Sequence, residues 1–318
     1  MSGPVFISPL EILQILNPFN SVGGVGMQSQ NGLIVEAIRL PRVLLAALIG
    51  LLLAVCGAVL QGLFRNPLAD PTLIGISAGA SVGASLAIVL GASSLAVPLG
   101  LPLTSLGAFG GGLISSLLVY KLATSSRGTS VSTMLLAGIA ISAMAGAINS
   151  LFSFFADNEM LRRLSLWQMG NLDNASWEKV GICLFVAIIL LIYLPRESKA
   201  LNAILLGESE ARHLGVDVER MKRRLIILTA MGVGVSVAAV GTIIFLGLII
   251  PHMVRLLIGP DHRYLLPASA LAGATLLILA DTLARVIVAP AEIPAGVVTS
   301  ILGAPFFVSL LRQQRKHL

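Results

Sequence analysis

Nine apolar runs, most of them near the roughly 20 residues a helix needs to cross a bilayer, constrain this chain more than any other feature. They fall at about 43–64, 71–91, 101–123, 131–156, 177–195, 225–240, 242–258, 264–288 and 294–311. The chain is 56% hydrophobic and 11% charged, where a soluble domain carries about 25% charged residues. So apolar a chain cannot screen its surface from water, and the sequence predicts an all-α, polytopic membrane bundle. The pair 225–258 is short for two full crossings. Its hinge is placed near Gly241, with one member a partial span. Stripes of small residues, Ala46, Gly50, Ala54, Ala58 and Gly62 on one span and Gly75, Gly79 and Gly83 on the next, mark faces where helices approach closely.

Basic residues set the orientation. Alternate loops collect fifteen of the 21 Lys and Arg, and the other side collects six, Arg39, Arg42, Arg162, Arg163, Lys179 and Arg285. The richer side is cytoplasmic by the positive-inside rule. This places Arg196–Arg224 and the C-terminus inside and Asn158–Ser176 outside. The net charge of +6 then serves topology and gives no reason to expect nucleic acid. Nine spans with the C-terminus inside leave Met1 outside, and nothing in residues 1–38 would carry it there. A preceding first helix, encoded upstream, is therefore expected. Ser8-Pro9-Leu10-Glu11 reads as a helix start, and Gly23, Gly24 and Gly26 break the chain after it.

Arg196–Arg224 holds 12 of the chain's 36 charged residues. Within it, Glu208–Leu214 reads as a short helix stopped by Gly215, and Asp217 caps a second short helix from Val218. Such a surface suits a soluble partner, or is an ordinary topogenic loop. Phe64–Pro71 reads as a sharp turn fixed by two prolines, and Gly128–Thr133 as a second turn or a helix cap. Phe152, Phe154, Phe155, Met160, Trp167 and Met169 beside Arg162 and Arg163 form an interfacial aromatic belt, or a site for a flat ligand bearing carboxylates. Asp281 and Arg285, four apart with Glu292 beyond, are intramembrane charges that face an interior or neutralise each other. Cys56 and Cys183 lie in apolar spans as packing residues. His252 has no partner at metal-ligand spacing. No G-x-x-x-x-G-K-[ST] occurs, so the chain has no P-loop of its own.

Several stretches point one way: Ile38–Arg42, Gly57–Gln61, Asn66–Pro71, Gly75–Ala80, Leu135–Gly138, Trp167–Gly170, Gly207-Glu208 with Ala211 and Leu214-Gly215, Gly247–His252, Asp261–Arg263 and Gly303–Pro305. From about Ile7 to the C-terminus this closely resembles the FecCD family, permease subunits of bacterial ATP-binding-cassette importers for iron–siderophores, haem and cobalamin. The resemblance implies a multi-pass inner-membrane permease, one domain over 1–318 with 196–224 as its coupling loop. It implies ten helices per subunit and a homodimer with the pathway at its interface. Two copies of a separate ATPase, carrying ATP and Mg, would dock inside, and a periplasmic binding protein would deliver haem or an iron–siderophore outside. No cofactor or metal is expected on this chain. Gly207, Glu208, Ala211, Arg212, Leu214, Gly215 and Val216 match the ATPase-coupling segment. Arg39, Arg42 and Arg285 match binding-protein docking arginines. Asn66 and Leu68, with Ser130, Val131 and Ser132, match the cytoplasmic gate. Cobalamin import is the nearest rival. A secondary transporter would want titratable residues near mid-membrane, for which Asp281 alone is slight. A receptor or scaffold would need no pathway.

Overall fold

The computed structural model describes residues 7–16, 30–90, 102–125, 128–289 and 291–315. Residues 1–6, Gly23, Gly24, Gly26, Arg127 and Lys316, named above, lie outside the described residues, as do the expected span ends at 91 and 101. Among the described residues the regular secondary structure is helical apart from one two-residue antiparallel ladder. The helices are α1 (Pro9–Leu16), α2 (Gln30–Leu63), α3 (Ile76–Val89), α4 (Leu103–Ala123), α5 (Val131–Phe155), α6 (Asn158–Gln168) and α7 (Trp177–Tyr193), then α8 (Ser198–Ile204), α9 (Glu208–His213), α10 (Val218–Val240), α11 (Leu246–Ile258), α12 (His262–Val286) and α13 (Ala295–Arg315). The ladder pairs β1 (Thr124–Ser125) with β2 (Gly128–Thr129).

Each predicted apolar run is a helix. Among the described residues six are long and apolar enough to cross a bilayer, and α3, α11 and the apolar part of α13 are shorter. One expectation is corrected, and the hinge near Gly241 with one partial span beyond it is found as expected. The helix after Asp217 is not short: its capped first turn runs on into the membrane as the 23-residue α10. The partial span is α11, 13 residues long, and Gly241, at φ 79°, ends α10 before it. The charged first turns of α10 lie among other polar groups, so apolar content alone does not mark its start.

Helix α2 is the centre of the bundle and packs on α7, α10, α11 and α12. The small-residue stripes are what bring it there. A Cβ on Gly50 would overlap the Gly273 carbonyl oxygen, and one on Gly273 would overlap that of Gly50. Likewise Gly79 and Gly83 of α3 meet Gly111 and Gly107 of α4 backbone to backbone. Pro251 inside α11 cannot donate to the Gly247 carbonyl. That carbonyl instead lies against Gly57, where any Cβ would displace it. The neighbouring Leu248 carbonyl accepts from the buried Gln61 side chain at 3.0 Å. Pro251 is thus accounted for by packing, while His252 Nδ1 is buried with no hydrogen-bond partner among the described residues.

Candidate functional site

One end of the bundle gathers the Phe64–Asp70 turn, the β1–β2 ladder, α9 and the Gly259–Asp261 turn. By the charge rule it is the cytoplasmic end. The first turn is built by Asn66, whose side-chain oxygen accepts from the Leu68 amide at 2.9 Å. Asp261 and Asn202 lock α8 to the start of α12: Asn202 donates to Asp261 at 2.6 Å and accepts from the His262 amide at 2.9 Å. Hydrogen bonds from the Arg263 amide and then Asn202 hold the Asp261 carboxyl below its ordinary pKa.

Helix α9 stands between two glycines that take backbone conformations other residues avoid, Gly207 at φ 124° and Gly215 at φ 82°. Its end is a Schellman motif: the Val216 amide donates to the Ala211 carbonyl at 3.0 Å and Gly215 to Arg212 at 2.9 Å. The buried Ala211 anchors the helix. Leu206 and Leu214 bracket it outside, 69% and 64% exposed. Two bare leucines among charged side chains are the composition of an interface core with a polar rim. Asp217 caps α10 by accepting from the Arg220 amide at 3.1 Å.

The structure brings the expected coupling and gate loops together. Ser130 caps α5, accepting from the Thr133 amide at 3.3 Å, and Val131 and Ser132 form the first turn of α5. The preceding Gly128–Thr129 strand is tied to Glu208 and Glu219 through Lys222, a residue the sequence did not single out. Its burial could not be read from a run holding seven basic residues. Asn66 and Leu68 lie in the separate turn after α2.

At the opposite end Asp173, in the Asn158–Ser176 stretch, meets Arg42, which is linked to Glu292 and through Asp281 to Arg285, with Arg39 in electrostatic range of Arg285. The expected docking arginines are brought together, but they are not displayed as free surface cations. Their exposures are 5%, 7% and 7%. Arg42 donates from Nε and Nη2 to Asp281 at 2.9 and 2.8 Å. Its remaining nitrogen reaches Glu292 at 2.7 Å and Asp173 at 3.1 Å. Arg285 pairs with the same Asp281 at 3.1 Å. The local Asp281–Arg285 pair foreseen in the sequence is therefore half of a larger knot joining α2 and α12. This face therefore carries carboxylates as well as guanidinium groups. In the aromatic segment Phe154 and Phe155 are 81% and 74% exposed, while Arg163 pairs with Glu159 along α6.

A crevice of about 650 Å³ opens between α3, α5 and the stretch after α10, where Ser77, Ser81, Asn149, Ser150, Ser153 and Thr242 line it beside Ala78, Gly146 and Ile244. Asn149 donates to Ser81 at 2.7 Å. Its own amide oxygen is buried with no partner among the described residues.

A family model described as the FecCD transport family matches residues 1–313. The chain is 47% identical over 280 residues to the hemin transport system permease protein HmuU of Yersinia pestis, covering 88% of this chain and 83% of that one. It is 43% identical over 289 residues to the cobalamin import system permease protein BtuC of Halobacterium salinarum, covering 91% and 76%. A solved structure described as a metal-chelate type ABC transporter, inward-facing, superposes with a TM-score of 0.79 at 34% identity over 90% of each chain.

Proposed function

The chain belongs to the FecCD transport family, an importer permease that crosses the inner membrane many times, and from that premise we propose that it imports an iron chelate, haem or a ferric siderophore, into the cytoplasm. The observation that carries the chelate class is the 47% identity to a hemin permease over most of both chains. The cobalamin permeases, at 43% and 44% identity, support the second reading.

In this reading the subunit works as a homodimer by alternating access. A separate ATPase, two copies per transporter, binds ATP and Mg and grips Gly207–Val216. ATP shifts the equilibrium only through contacts that differ between the two states, and α9 with its exposed Leu206 and Leu214 supplies the surface for them. The crevice, with Ser77, Ser81, Ser150 and Ser153 in its lining, offers a wall for a pathway at the dimer interface, and Asn66, Leu68 and Ser130–Ser132 close its inner end. A periplasmic binding protein delivers the chelate at the face holding Arg39, Arg42 and Arg285. There the partly exposed Asp173 and Glu292 take part with the arginines in recognition.

The test is uptake into proteoliposomes holding this chain with its cognate ATPase and binding protein. Haem or a ferric siderophore should accumulate and cobalamin should not; accumulation of cobalamin alone would assign the second reading. Gly215→Pro is expected to abolish the helix end, since proline has neither the positive φ nor the donated N–H. Such a change costs about 3 kcal/mol or more. Uptake and substrate-stimulated ATP hydrolysis should fall together while the dimer still assembles by size-exclusion chromatography. Normal uptake would remove residues 207–216 from the mechanism.

A further inference from the structure

Lys222 lies in the first turns of α10 with only 2% of its surface exposed. Its ammonium donates to Glu208 Oε1 at 2.7 Å, to the Thr129 carbonyl at 2.9 Å and to Glu219 Oε1 at 3.4 Å. A lysine has three donors, and all three are used. The other oxygen of Glu219 accepts from the Thr129 amide at 2.9 Å. Gly128, at φ 108°, lets the strand come this close, because a Cβ there would press into the Glu219 carboxylate. Three elements therefore meet at one nitrogen: α9 through Glu208, α10 through its own first turn, and β2 through Thr129, 93 residues away in sequence. One residue beyond Thr129, Ser130 caps α5.

A buried ammonium is costly to leave unpaired. Charge-assisted hydrogen bonds are roughly twice as strong as neutral ones. Sliding α9 against β2 would strip Lys222 of a partner, so the two are held to move as one. Exposed loop contacts would absorb such a displacement; this junction passes it on to the head of α5. We infer that Lys222 is the positioning residue that transmits displacement of α9 to the Gly128–Ser132 loop. The inference rests on the reading of α9 as the ATPase contact.

Two measurements test it. In the reconstituted complex, Lys222→Met keeps the stem and removes the ammonium. Basal ATP hydrolysis should stay within about twofold of the unsubstituted complex, while chelate moved per ATP falls about tenfold, at the upper part of the range for coupling residues. Lys222→Arg, whose planar cation can reach the same acceptors, should recover most of that ratio. A merely structural role would lower hydrolysis and uptake together. Glu219→Gln, at a half-exposed position, should lower the ratio in the same direction by about threefold; if Lys222→Met does not assemble, this variant decides. The second measurement needs no transport. Spin labels on His213→Cys and Ser132→Cys, both exposed positions, report the distance from α9 to the head of α5. A narrow distance distribution that broadens in Lys222→Met or Glu219→Gln supports the link. An unchanged distribution, or an unchanged chelate-to-ATP ratio, overturns it. Absence of uptake with a broadened distribution would instead count against the importer reading and leave the link standing.

Discussion

Asp281→Ala is expected to lower the stability of the permease by about 3–5 kcal/mol, the cost of removing one partner from a buried charge cluster. Asp281 is 1% exposed and serves both Arg42 and Arg285. Arg42 would keep Glu292 and Asp173, which limits its share of the loss. Arg285 would lose the carboxylate one turn away on its own helix. Because Arg42 is on α2 and Asp281 on α12, the loss falls on the contact that holds the outer half of the bundle together. In detergent the unfolding midpoint should drop by on the order of 10 °C. Asp281→Asn, which keeps the volume and one acceptor, should fall between. An unchanged midpoint for the alanine variant would mean that water reaches both arginines and that the knot is a surface feature.

Gly50→Leu is expected to have the larger effect. Overpacking a filled core costs about 1–3 kcal/mol when side chains can give way. Here the obstacle is the Gly273 carbonyl and the start of the next residue's backbone, and a helix backbone moves only as a whole. Helices α2 and α12 would have to separate along their length, with loss of the contacts at Ala46, Ala54 and Ala58. The expected result is loss of the monodisperse species on size-exclusion chromatography. Gly110→Leu is the control: on α4, nothing lies within 4 Å of the Cβ it would gain. It should stay within about 0.5 kcal/mol of the unsubstituted chain. Equal behaviour of the two would remove the small-residue stripe as the determinant of packing.

These two positions differ in how far the sequence revealed them. Gly50 sits in a stripe spaced at i, i+4, so its face and a close helix approach to it were legible without coordinates, though not that the neighbour is Gly273 of α12. Asp281 and Arg285 were legible as a pair for the same local reason. Arg42 was not, because its carboxylate lies 239 residues away, and distance in the chain carries no periodic signal. The same limit applies at the other end. The caps at Ser130 and Asp217 and the stop at Gly215 are local, and each appears where the residue type predicts. The start of α10 was masked by its charged first turns, which are satisfied by Glu219 of the same helix and by Glu208 and Thr129 from other elements. Lys222 went unremarked because a buried lysine and six solvated neighbours look alike in sequence.

The central claim is that this chain carries a substrate across the membrane on energy supplied by a separate ATPase through Gly207–Val216. The most direct measurement is chelate uptake into proteoliposomes containing the permease, the binding protein and either the active ATPase or one whose P-loop lysine is replaced. Haem or ferric siderophore accumulation that needs ATP and the active ATPase, and that persists when proton and sodium gradients are collapsed, is the predicted result. Equal uptake with the inactive ATPase, or uptake that follows an ion gradient, would contradict the claim.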